Sequence, residues 1–115
     1  MHEPLIQDLY AAFNARDIET VIAHLHPEVD WPNAWEGGRL KGHAAVRDYW
    51  TRQFAAIDGR VEPVEITETP DGRVEVTVQQ TVRSLDGELI SDGRVAHVYT
   101  IRDGRITHME VVETG

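Results

Sequence analysis

The chain has 115 residues, 41% hydrophobic and 27% charged, with a formal net charge of −9 and no cysteine. That length suits one domain spanning 1–115, able to bury roughly two-thirds of its unfolded surface and to hold a pocket within its core. The acidic balance argues against nucleic acid and anionic membrane as partners, and the missing cysteine excludes disulfides and thiol catalysis.

Met1 to Asp8 lacks a basic region followed by a long apolar run. No stretch approaches the roughly 20 apolar residues of a membrane span, so a cytoplasmic setting is expected. Leu5, Ile6, Leu9, Tyr10 and Phe13 recur at helical spacing and predict a first helix. Asn14 to Asp17 breaks the pattern, and Asp17 can cap a second helix carrying Ile18, Val21, Ile22 and Leu25, which Pro27 ends. Val29-Asp30-Trp31 predicts a short strand, and 32–42 reads as loop, with Asn33 and Glu36 solvated. A third helix starts at His43 or Ala44, places Val46, Tyr49, Trp50 and Phe54 on one side, and ends near Asp58-Gly59.

The period then changes from helical to alternating. Val61–Thr69 predicts a strand that Pro63 pushes to a sheet edge. After a turn at Pro70-Asp71-Gly72, Val74, Val76, Val78 and Val82 share one face of a long strand, with Gln80 among them. Asp86-Gly87 predicts a hairpin, Glu88–Ile101 the next strand, Asp103-Gly104 another hairpin, and Ile106–Glu113 the last strand. A turn at Asp92-Gly93 would leave too short a strand before it, so this pair predicts a bulge inside a long bent strand. Helices first and a meander last make an α+β domain.

Four segments carry a family resemblance: Leu9–Asp17, Leu25–Trp31, Gly42–Trp50 and His97–Ile106. In that order they resemble the first helix and turn, the descent into the first strand, the third helix and the last hairpin of the nuclear transport factor 2-like superfamily, specifically its SnoaL-like domains. The resemblance implies a cone-shaped, curved antiparallel sheet wrapped around three N-terminal helices and enclosing one pocket. It spans ketosteroid isomerases, polyketide cyclases, epoxide hydrolases, dehydratases and non-catalytic binding proteins, so it leaves the chemistry open.

Proton abstraction beside a carbonyl needs a base and a donor for the developing oxyanion. The ketosteroid isomerase slots hold Trp31, Leu9 (with Tyr10 adjacent) and Ala96, so that chemistry is not implied. In the cyclase pattern a His on the penultimate strand works with an Asp on the last. His97 matches the first, while the second falls on Val111 with Glu110 beside it. The Asp-Arg-Asp set of the epoxide hydrolases has no counterpart here. His97 is thus the leading acid or base, with Asp30 and Glu110 as reserve carboxylates, and the bland alternative is a bonded core histidine.

Tyr99 shares the face of His97, and Gln80 must be hydrogen-bonded if buried; both are candidate partners. Tyr10, Trp31, Trp35, Tyr49, Trp50, Phe54 and Met109 complete the candidate ligand-binding set, with ordinary core as their alternative. His24 and His26 stand two apart, which on a helix points them to different sides, so no metal site is expected. The expected function is binding of a small apolar molecule, with cofactor-free isomerase, cyclase or dehydratase chemistry on a carbonyl compound. The alternative is a non-catalytic ligand-binding or dimerisation module. A homodimer is expected through outward-facing Val98, Thr100 and Val112.

Overall fold

The computed structural model describes residues 3–33 and 37–113. Two helices open the chain, α1 (Glu3–Asn14) and α2 (Ile18–Ala23), and a third, α3 (Gly42–Ala56), follows the first two strands. The strands are β1 (Leu25–Pro32), β2 (Arg39–Lys41), β3 (Asp58–Glu68), β4 (Val74–Arg83), β5 (Leu89–Arg102) and β6 (Arg105–Glu113). They form one six-stranded sheet in the order β2-β1-β6-β5-β4-β3. Among the described residues, no helix is long and apolar enough to cross a membrane.

Local chemistry sets the helix ends. The Asp17 carboxylate accepts from the backbone N–H and hydroxyl of Thr20 and caps α2. The cap saves an orphan N–H at the start of a helix of only six residues. Gly42 opens α3 at φ +85°, and a Cβ there would meet the carbonyl oxygen of Pro27 at 3.3 Å. At the other end of α3, the backbone N–H of Ile57 closes the last turn on Gln53. The chain enters β3 directly at Asp58, three residues earlier than Val61.

The sheet is mixed rather than wholly antiparallel, because β1 runs parallel to β6, with Leu25 opposite Ile106 and Asp30 opposite His108. The short strand expected at Val29–Trp31 extends back through Pro27, and the expected loop contains β2. Pro27 sits at a register irregularity between Leu25 and Asp30, where its missing N–H breaks no regular ladder. Pro63 does lie on an edge strand, β3. The Asn14 side chain covers part of that edge, donating to the carbonyl of Val61 at 2.7 Å and accepting from its N–H at 3.0 Å.

The bulge in β5 is not at Asp92-Gly93. Asp92 and Gly93 stay in register with Thr81 and Gln80, and the extra residue is Ile90, between the Val82–Ser91 and Arg83–Leu89 pairs. Asp92 is held there by Gln79 and Thr81, which donate to its carboxylate at 2.7 and 3.0 Å. Every β5 residue from Ser91 to Tyr99 therefore keeps one alternation. Val95, His97 and Tyr99 face the helices opposite Val78, Val76 and Val74. Those three β4 valines are at most 1% exposed and form the floor of the core, each worth roughly 2 kcal/mol of apolar burial. The helices cover this face with Ile6, Leu9, Val21, Ile22, Val46 and Trp50. On the outer face Val112 is exposed but Val98 is buried among its neighbours, a smaller apolar patch than the sequence alone suggests.

Candidate functional site

A cavity of about 120 Å³ lies between the helices and the inner face of β1, β6, β5 and β4. Its walls include Tyr10 from α1, Tyr49 and Trp50 from α3, Trp31 from β1, His97 and Tyr99 from β5, and Met109 from β6. Aromatic rings brace one another around it. Trp31 meets Trp50 edge-on with centroids 5.2 Å apart, and Phe13 meets Trp50 edge-on at 6.1 Å. Such contacts hold large side chains in single orientations and keep the walls rigid.

The polar centre is a three-residue chain. The Tyr10 hydroxyl lies 2.8 Å from His97 Nδ1 and 2.8 Å from the Tyr99 hydroxyl. Strand register explains the arrangement: His97 and Tyr99 are two apart on β5, so both project toward α1, where Tyr10 reaches between them. Among the described residues nothing bonds Nε2, which leaves that ring nitrogen for a ligand.

Burial dominates the electrostatics. It pushes the His97 imidazole down from 6.5 to about 4, so the ring is neutral at pH 7. Burial also raises the phenols of Tyr10 and Tyr99, and in Tyr10 the neighbouring Tyr99 adds to the effect. The cavity therefore presents neutral donors and acceptors.

Of the sequence candidates, Tyr10, Trp31, Tyr49, Trp50, Gln80, His97, Tyr99 and Met109 all line this cavity. Gln80 does so without bonding to His97 or Tyr99 among the described residues. Trp35 and Glu36 lie outside the described residues. Phe54 stands behind the wall, packing on Phe13 at 5.2 Å and under the Arg16 guanidinium at 4.6 Å. Asn33 is buried, not solvated, with its backbone tied to Gly37 and Gly38.

Asp30 is not a cavity residue, because alternation that turns Trp31 inward turns Asp30 outward. Its carboxylate accepts from Arg39 Nε at 2.6 Å, and that bond holds its pKa below the usual carboxylate range. Glu110 likewise faces out, 3.2 Å from His108. Val111, opposite His97 in register, occupies the cavity wall in its place. Sequence reasoning missed Gln53, which lines the cavity and donates to the Tyr49 hydroxyl at 3.3 Å. Its position one helical turn after Tyr49 was the available signal. His24 bonds Asp8 at 2.5 Å while His26 bonds the backbone of Glu28, so the pair diverges.

Residues 6–109 match the family of the SnoaL-like domain. Among curated proteins, none matches. Among solved structures, TerC, co-crystallised with polyporic acid, is 32% identical with a TM-score of 0.80, covering 95% of this chain and 88% of its own. A protein of unknown function from Burkholderia pseudomallei, described as NTF2-like, is 25% identical with a TM-score of 0.84, covering 98% of this chain and 90% of its own. A proposed polyketide cyclase from Sinorhizobium meliloti, 23% identical with a TM-score of 0.79, covers 94% of this chain and 93% of its own and shares the fold.

Proposed function

The chain belongs to the SnoaL-like family, and from that premise we propose that it binds one small apolar carbonyl compound in the His97 cavity and acts on it without a cofactor. The observation that carries this reading is the neutral, buried His97 held by Tyr10 at the head of an aromatic-walled cavity. The co-crystallisation of the related TerC with polyporic acid supports a small-molecule ligand.

We infer the direction of this chain from hydrogen-bond accounting, since either phenol could be the donor. Among the described residues the buried Tyr99 hydroxyl meets one polar partner, Tyr10, so it donates there. Tyr10 then has its own proton left for His97 Nδ1. The imidazole proton consequently sits on Nε2 and is offered to the cavity. A neutral N–H aimed at a substrate carbonyl stabilises negative charge as it develops on the oxygen, with no charged group to desolvate first. Enolisation, aldol-type cyclisation and loss of water beside a carbonyl pass through such charge, the carbon-bound proton leaving to water because the described wall residues include no carboxylate.

A second reading is binding without turnover. It is favoured by the wall composition, which among the described residues contains no Asp or Glu to take a proton from carbon. A panel of aryl ketones screened for binding and for turnover separates the two. Turnover that falls at least 100-fold in His97→Ala, with binding retained, supports the enzyme. Binding with no turnover across the panel supports the second reading.

A further inference from the structure

A second cavity of about 260 Å³ shares a wall with the first. Phe13, Gln53, Val61 and Gln80 line both. Beyond them the outer cavity is bounded by Ile57, Gly59, Arg60, Val82 and Ile90. The bulge at Ile90 matters here, because the extra residue brings an apolar side chain to the chamber wall at the far end of the β4–β5 hairpin. The outer chamber thus carries four aliphatic side chains, Ile57, Val61, Val82 and Ile90, beside Arg60, whereas the inner one carries six aromatic rings and a polar head. At the junction the half-buried Gln80 amide has no side-chain hydrogen bond among the described residues.

We propose that the two cavities are one elongated site. It takes a molecule with a ring-borne carbonyl head in the inner chamber and an aliphatic tail in the outer one, with the Gln80 amide bonding the ligand at the waist. The inference rests on the reading of the His97 cavity as the binding site. Carbonyl compounds with a compact ring alone would fill only the inner chamber. Those with an alkyl extension opposite the carbonyl would fill both and gain the apolar burial of the tail.

Gly59 makes the proposal testable. It pairs with Val82, lines the outer chamber, lies outside the left-handed region, and a Cβ added there meets nothing within 4 Å. Gly59→Leu therefore fills the outer chamber without touching the inner one. The probes are 4′-methylacetophenone and 4′-butylacetophenone, titrated against the fluorescence of Trp31 and Trp50. The butyl ketone is expected to bind the unaltered protein at least tenfold more tightly. Gly59→Leu should remove that advantage and leave the methyl ketone within twofold. Val82→Phe serves as a second filling variant if thermal unfolding shows the first is not folded. Equal affinity of the two ketones for the unaltered protein overturns the inference, as does equal weakening of both by the filling variants. If neither ketone binds the unaltered protein, the inner-site reading itself fails and the inference falls with it.

Discussion

The Tyr10 hydroxyl, on the first helix, lies 2.8 Å from His97 Nδ1 on the fifth strand, and the same oxygen lies 2.8 Å from the Tyr99 hydroxyl. One phenol thus satisfies two buried polar groups. Tyr10→Phe strands both, and each unsatisfied buried group costs about 1–3 kcal/mol. Urea unfolding should show the variant destabilised by about 2 kcal/mol or more. Imidazole ¹⁵N spectra should show the proton on Nε2 in the unaltered protein and a tautomer mixture in Tyr10→Phe. A proton found on Nδ1 in the unaltered protein would reverse the assigned direction of the chain.

Stability should depend on pH through His97. Burial lowers its pKa from 6.5 to about 4. Between those values the unfolded chain takes up a proton that the native ring refuses. Stability is therefore complete above about pH 6.5 and declines as pH falls toward 4. The loss attributable to this residue is roughly 3 kcal/mol. His97→Gln should flatten the slope in that window relative to the unaltered protein; parallel slopes would mean that other groups carry it.

Asn14 bonds both backbone groups of Val61 on an edge strand. Asn14→Ala removes both bonds and should cost about 1–3 kcal/mol in denaturant unfolding. It also bares strand edge, so light scattering at high concentration should rise. Unchanged stability would mean that water replaces the amide fully.

At Gly42 the backbone is left-handed and a Cβ would press on Pro27 at 3.3 Å. Gly42→Ala should lower stability by about 1–3 kcal/mol through backbone strain and that contact. A thermal midpoint equal to that of the unaltered protein would contradict this.

Asp30 faces away from the cavity and is engaged by Arg39. Asp30→Asn should leave aryl ketone affinity within twofold. A tenfold loss would return this carboxylate to the site.

Much of this was legible in the residues. Helical spacing and the change to alternation located α1, α3, β4 and β5, and alternation alone set His97 and Tyr99 on one face while turning Asp30 from Trp31. What sequence could not supply were features decided by distant partners. β2 is three residues long and exists because β1 offers it a ladder. The bulge sits at Ile90 because Gln79 and Thr81 hold Asp92 in register, although Asp92-Gly93 carries the stronger local signal. Tyr10 is legible in the sequence as a candidate wall residue beside the isomerase oxyanion slot, but not as a bridge between His97 and Tyr99. Its bridging role needs a helix and a strand brought together from opposite ends of the chain.

The parallel seam between β1 and β6 has a consequence for synthesis. The Ile106 N–H donates to the His24 carbonyl at 2.9 Å, and Arg39 reaches the carbonyl of Met109 at 2.7 Å. The early strand therefore waits, with one sheet edge unpaired, until β6 has been made. Closing loops of that length before any contact rewards them slows folding. Assembly then runs outward-in: the β3–β6 meander can form from neighbours in sequence, and docking of β1 on β6 completes the molecule. A nascent chain stalled short of β6 would hold β1 and β2 without their place in the sheet, the stage at which chaperone protection counts most.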